Sequence, residues 1–285
     1  AFCVKMLGAV RQSLIFARQQ KEAGRPAGWL GWPLVATSHT WENGKNQQSH
    51  QDTSFCEALL GEMGDMLRVL FPADHNSVLA SLPAIYQARG QLACMVIPKR
   101  ERPAVFSQAQ AEQLARDGAV LVEQLDAEEP LLLMACGSYQ LAQMQRAAVR
   151  LRTAGLAYRL VYIQEPGRFR APRDRWEAEA LASPALVAQL FDPALRRRVL
   201  LSHMRPEVAR GHLWPLLADA NNTVVLGYRN RGGTLDEAGM LFANSATWAH
   251  ILYACTQLLQ RPASEVLSAA EMMAVSGEGD PRVLR

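Results

Sequence analysis

WLGWPLV (Trp29–Val35), TSHTWENGKNQQSHQD (Thr37–Asp52) and SFCEALLGEMGDML (Ser54–Leu67) follow one another almost without interruption, and their reading decides the fold. The first is a short apolar run that reads as a strand, with Pro33 suiting a sheet edge or bulge better than a central ladder position. The third reads as a helix: Thr53 or Ser54 can cap it, and Phe55, Leu59 and Met63 share one face. Between them lie His39, His50, Trp41, Glu42, Asp52, Lys45 and a cluster of side-chain amides. Side chains that donate, accept and titrate, held between two apolar elements, describe a site on a strand-to-helix connection. A polar loop with capping residues is the competing reading.

Upstream, Phe2, Met6, Val10 and Leu14 recur at four-residue spacing, and Cys3, Leu7 and Ile15 widen the stripe. This predicts a helix over Phe2–Ala23, laid against a sheet and stopped by Gly24-Arg25-Pro26. Downstream, Arg68–Phe71 reads as a strand, Ser77–Arg89 as a helix capped by Asp74 or Asn76, and Ala93–Ile97 as a buried strand. His75 is expected in an exposed loop. Strand, helix, strand, helix, strand with short connections implies parallel pairing and α/β architecture. Binding residues in such sheets gather at the carboxyl ends of strands. That rule singles out Thr37–Asp52 and Lys99, although a solvated charge at a strand end explains Lys99 equally well.

Ser107–Leu125 is helical in pattern, and Asp126–Pro130 is a break. Strands follow at Leu131–Cys136, Leu160–Ile163, Val199–Ser202 and Val224–Tyr228, with helices at Tyr139–Thr153, Trp176–Phe191 and Ala246–Leu259. The expected organisation is two consecutive α/β domains with mainly parallel sheets: residues 1–106, a linker over 107–130, and residues 131–285.

A net charge of +3 is too mild to argue for nucleic acid. The basic clusters, Arg196–Arg198 and Arg168/Arg170/Arg173/Arg175, read first as solvated faces and second as phosphate contacts. No apolar run reaches the length of a membrane span. The 5 cysteines are widely spaced and mostly inside apolar segments, as buried thiols of a cytoplasmic protein are. No metal-ligand spacing joins the Cys and His residues. The chain opens on Ala1 without a secretory signal, and a fragment of a longer protein, or a processed one, is expected.

TSHTWENGKNQQSHQD, then Phe55, RVLFPAD with Asn76, and VIPK ending at Lys99 resemble the phosphoketolases, thiamine-diphosphate enzymes of the transketolase superfamily. ACGS at Cys136, His203 after a strand, and GYRNRGGTL at Gly227–Leu235 continue the resemblance more weakly, so that it covers most of the chain. It implies a pyrimidine-binding-like domain, incomplete at its start, followed by a transketolase C-terminal-like domain. The diphosphate-binding domain with its Gly-Asp-Gly…Asn metal motif does not appear here. Neither does the glutamate that faces the aminopyrimidine. By the resemblance, thiamine diphosphate and Mg2+ both need that domain, and this chain alone is expected to be inactive.

The reaction implied is a carbon–carbon lyase step on xylulose 5-phosphate or fructose 6-phosphate. Inorganic phosphate captures the two-carbon unit as acetyl phosphate, and an aldose phosphate leaves. A homodimer is implied, with no nucleic-acid or membrane partner. His50 matches a histidine for proton transfer, a task suited to imidazole. Asn46 matches a phosphate-contacting asparagine, and Lys99 a lysine that binds substrate phosphate. His39, Trp41 and Asp52 match loop-structuring positions. Lys45, counted with Asn46 and Lys99 as a substrate- or phosphate-binding candidate, stands where the family has a histidine, Asn43 where it has a glutamine, and Glu42 where it has an arginine. A lysine does not shuttle protons near neutral pH unless burial lowers its pKa. Transketolase-like transfer, xylulose 5-phosphate epimerisation, and a non-catalytic subunit completing a site on another chain are the alternatives.

Overall fold

The computed structural model describes residues 2–26, 28–36, 40–42, 52–126, 130–217, 219–231 and 233–285. The opening stripe forms two helices, α1 (Phe2–Lys5) and α2 (Leu7–Glu22), parted at Met6, where one continuous helix was expected. Val10, Leu14 and Ala17 pack with Leu34, Val69 and Cys94 of the first sheet, as the stripe requires. Met6 and Ile15 stay exposed, so the apolar face is narrower than the sequence suggests.

Strand β1 (Trp32–Ala36) is followed by α3 (Ser54–Leu60), β2 (Leu67–Leu70), α4 (His75–Gln87) and β3 (Leu92–Val96). The sheet is parallel in the order β1-β3-β2, with Leu34 and Val69 both in register with Cys94. Pro33 therefore sits on an edge strand, where its missing N–H is harmless. Helix α3 ends at Leu60, a full turn or more before the expected Leu67. Its terminal carbonyls are taken by arginines far along the chain: Arg170 Nη1 donates to Leu60 O and Arg173 Nη1 to Gly61 O, both at 2.8 Å. His75 is exposed as expected, but it is the first residue of α4 and not a loop residue. Asp74 caps that helix, accepting from Ser77 N at 2.9 Å.

The stretch expected as a helical linker holds α5 (Gln108–Asp117) and then a strand, β4 (Ala119–Leu125). Gly118, at φ +81°, terminates α5, and β4 pairs antiparallel with a strand of the second sheet. Next come β5 (Leu131–Cys136), α6 (Ser138–Thr153), β6 (Tyr158–Ile163), α7 (Arg175–Ala180) and α8 (Pro184–Leu190). Then follow β7 (Arg198–Ser202), α9 (Pro206–His212), β8 (Thr223–Leu226), α10 (Glu237–Ala243), α11 (Trp248–Leu259) and α12 (Ala269–Ser276). The expected Trp176–Phe191 helix is split because Ser183 caps a new one, with Pro184 at its first position. The five strands run in the order β4-β6-β5-β7-β8, all parallel except β4. Mixed α/β architecture with mainly parallel sheets is thus what the chain forms.

The two sheets meet through their carboxyl ends. Phe71, just after β2, donates its N–H to Gln164 O at 2.8 Å and accepts at its carbonyl from the Tyr162 hydroxyl. Ser138 Oγ donates to Ala73 O at 2.8 Å, and Arg68 pairs with Glu165 through two bonds of 2.8 and 2.7 Å.

Candidate active site at the strand ends

In the five-stranded sheet the chain turns one way from β5 to β6 and the other way to β7, so the switch point lies between β5 and β7. Ligands of open α/β sheets commonly enter there. Here the place is filled from the first half of the chain. Trp41, wholly buried, donates Nε1–H to His203 O at 3.3 Å and meets Tyr228 edge-on with ring centroids 6.0 Å apart. Phe71 stacks obliquely on the His203 ring at 5.2 Å. Burial pushes the His203 imidazole down to about 3, so it is neutral at physiological pH.

Trp41 begins the arrangement because it lies in a 3-10 turn, Thr40–Glu42, which aims the next residue the other way. Glu42 accepts from the backbone N–H groups of Lys99 and Arg100, at 2.8 and 2.9 Å, one on each oxygen. It also faces the Tyr139 hydroxyl, whose pKa rises through burial and then through this carboxylate. Glu42 thereby ties the polar stretch to the turn after β3. Lys99 itself is exposed in that turn. Beside it, a cleft of about 250 Å³ is bordered by His75, Arg100 and Arg102, with Asp74 and Glu101 as its acidic members. Arg102 lies over the Tyr139 ring at 4.5 Å and approaches Glu237 at 3.7 Å. A carboxylate anchor beneath a turn rich in cations, open to solvent, is suited to an anionic substrate group.

Asp52 sits apart from this cluster. It accepts from Ser54 N at 3.1 Å and Ser54 Oγ at 2.5 Å, and approaches Arg205 at 3.5 Å. Arg205 also grips Glu57, donating its N–H to Oε1 at 2.8 Å and a guanidinium hydrogen to the other oxygen. Both described ends of the polar stretch are therefore fastened, Trp41 to the residue after β7 and Asp52 to the residue before α9. His39, Lys45, Asn46 and His50 lie outside the described residues. Of the predicted site residues the structure brings Lys99 beside the Trp41–Glu42 turn and leaves Asp52 on the Arg205 side.

Sequence reading missed Glu42 as an anchor, marking it only as standing where the phosphoketolases have an arginine. Its neighbour Arg100 adjoins Lys99 and was legible from the same strand end. Arg205 carried no local signal, since Glu57 is 148 residues away. Among the described residues no group of three His, Cys, Asp or Glu converges to hold a metal ion, and no helix is long and apolar enough to cross a membrane. Of the described carboxylates at the first sheet's strand ends, Glu42 and Asp74 are engaged on both oxygens, Asp74 by Ser77, Val105 and Phe106, while Glu101 borders the cleft after β3. The described residues do not offer the donor set that a metal-bound diphosphate needs.

Residues 1–88 match the family described as D-xylulose 5-phosphate/D-fructose 6-phosphate phosphoketolase. A probable phosphoketolase of Pediococcus pentosaceus is 28% identical over 121 residues, 41% of this chain and 15% of its own length. One of Brucella suis is 30% identical over 143 residues, 49% of this chain and 18% of its own. The match thus spans less than a fifth of either relative. Among solved structures, a transketolase from Leishmania mexicana superposes with a TM-score of 0.59 at 15% identity, over 82% of this chain and 30% of its own. A split gene transketolase, described as an inactive beta4 tetramer, gives 0.56 at 16% identity, over 80% of this chain and 66% of its own. At these identities the likeness concerns the fold. The resemblance to phosphoketolases read from the sequence is borne out, although the family match ends at residue 88, before Lys99.

Proposed function

We infer that this chain, related to the phosphoketolases through its first 88 residues, supplies the sugar-phosphate face of a thiamine-diphosphate-dependent ketolase. The cofactor would furnish the electron sink for breaking a carbon–carbon bond next to a ketone. The described residues do not fit its metal, and the task we assign to them is to bind and orient the ketose phosphate. The observation that carries this reading is the Glu42 bridge between the polar stretch and the Lys99–Arg100 turn. It holds a cationic strand end against the described part of the polar stretch. Lys99 takes the substrate phosphate, Asn46 and Lys45 assist it, and His50 moves the proton. His39, Trp41 and Asp52 shape the connection. The full reading is a cytoplasmic homodimer cleaving xylulose 5-phosphate or fructose 6-phosphate, with inorganic phosphate as acceptor. By the same reading this chain alone does not turn over.

The test uses the complete protein with thiamine diphosphate, magnesium, xylulose 5-phosphate and phosphate. Acetyl phosphate is trapped as its hydroxamate while recovered pentulose is checked for epimerisation. Acetyl phosphate that requires added phosphate, and is lost in His50→Ala with folding intact, supports the reading. Epimerised sugar without acetyl phosphate moves the assignment to an isomerising relative.

A second reading is favoured by the likeness to the split gene transketolase, of which this chain covers 66%. In it the chain is a subunit that completes a site on a separate diphosphate-binding chain. Activity that appears only on adding such a chain distinguishes the two.

A further inference from the structure

A cavity of about 620 Å³ opens between the 3-10 turn Pro166–Phe169, α8, and the turns leading into β7 and β8. It lies at the amino ends of β7 and β8, on the opposite edge of the five-stranded sheet from Gly137 and His203. The volume is that of a small-molecule pocket. Its apolar wall is built on Phe169 and Phe191, which meet edge-to-face at 5.3 Å, and continues over Val187 and Leu216.

The polar part of the lining is unusual in sign. Arg168, Arg170, Arg196 and Arg198 line the cavity, against Asp219 as its acidic member. Arg168 and Arg170 belong to one of the two basic clusters of the sequence and Arg196 and Arg198 to the other, and the fold brings these four to one cavity. Arg170 is neutralised by Glu177, to which its guanidinium donates. Arg196, 74% exposed at its side chain, reaches Asp219 only at 3.6 Å. Arg198 is 5% exposed and has no carboxylate within ion-pair distance among the described residues. Its guanidinium is held by carbonyls instead. Nε donates to Leu195 O at 2.8 Å, Nη2 to Asp192 O at 3.1 Å and to Phe191 O at 3.4 Å, and Nη1 to Leu216 O. Of its five hydrogens, one on Nη1 remains uncommitted in that set. Burial lowers its pKa, and the more distant Asp192 offsets this only in part. A buried cation stabilised by carbonyl dipoles rather than a counter-charge gains from an anion brought to it.

We propose that this cavity binds an organic anion with an apolar body, an aryl or medium-chain acyl carboxylate, its charge turned to Arg198 and Arg196 and its body along Phe169, Val187 and Leu216. Charge complementarity selects the anion, and the aromatic pair selects the body. A bare inorganic anion would leave the apolar wall wet. A neutral lipid would leave Arg198 without its partner.

The complete protein is titrated with 8-anilinonaphthalene-1-sulfonate, an aromatic anion, followed by fluorescence, with octanoate and octanol as competitors. The expected result is saturable binding at one site, displaced by octanoate at concentrations at least tenfold below those of octanol. Val187→Trp, which fills the cavity, and Arg196→Glu, which reverses charge at an exposed position, each weaken binding at least tenfold while the melting temperature holds. Equal competition by octanol overturns the proposal, since it leaves an apolar surface without anion recognition. Unchanged dye affinity in both variants, or the absence of saturable binding, overturns it as well.

Discussion

Glu42 is the residue on which the strand-end site turns. Each of its oxygens accepts one backbone N–H from the Lys99–Arg100 turn. Glu42→Ala removes both charge-assisted bonds, an expected loss of about 1–3 kcal/mol. Under the proposed function, in which Lys99 of that turn takes the substrate phosphate, the loss should appear as a raised KM for the sugar phosphate, with kcat less affected. Steady-state kinetics of the complete enzyme decide it; an unchanged KM removes Glu42 from substrate positioning. His203 makes a different prediction. Its pKa is pushed down to about 3 by burial, below the 6.5 of a free imidazole. Below pH 6.5 the unfolded chain takes up a proton that the folded one refuses, so stability falls as the pH falls, until the folded site titrates near 3. The slope this residue adds is at most about 1.4 kcal/mol per pH unit. Denaturant melts between pH 7 and pH 4 should show a shallower decline in His203→Gln than in the parent protein. These two residues also mark what was legible. Lys99 could be found because a strand end is visible locally. Glu42 and His203 depend on partners at least 57 residues away, which no local pattern discloses.

At the level of elements, apolar runs located seven of the eight strands among the described residues, and most of the helices there, to within a few residues, because burial on both sheet faces leaves an uninterrupted signal. Leu131–Cys136 was read with its observed bounds. The failure was β4, absorbed into a helix over Ser107–Leu125. The polar, helix-favouring residues of α5 run straight into Ala119–Leu125, whose Glu123 and Gln124 themselves favour a helix over a strand. Gly118 was the overlooked sign. It adopts φ +81° and accepts at its carbonyl from both Gln164 N and Glu165 N, so it ends the helix and starts the edge strand at once. A Cβ there would also meet Arg168 Cδ at 2.9 Å. Gly118→Ala should therefore cost about 1–2 kcal/mol, the scale of a left-handed residue other than glycine. Thermal melts of the variant measure this. A melting temperature at or above the parent's would mean that the turn tolerates a side chain.

On the scale of the whole molecule, the apolar clusters run across from one sheet to the other. Trp41 and Ala73 belong to one apolar cluster with Leu133, Tyr139 and Trp248, while Leu14, Val69 and Phe71 belong to another with Leu132, Val161 and Leu200. Ion pairs cross the same boundary, among them Arg68–Glu165 and Arg205–Glu57. Both partners of Arg68–Glu165 are largely buried, so separating them would leave a charge stranded, typically about 3–5 kcal/mol of destabilisation. Two units that share cores and buried charges unfold together, in contrast to domains joined by a linker, which unfold in turn. Guanidinium unfolding should accordingly give one transition, superimposable when followed by far-ultraviolet circular dichroism and by tryptophan fluorescence. Trp41 reports on the first half and Trp248 on the second, so Trp41→Phe and Trp248→Phe variants should keep a common midpoint between the two probes. Midpoints that separate by probe in either variant would mean that the halves are independent and that the carboxyl-end contact is a docked interface.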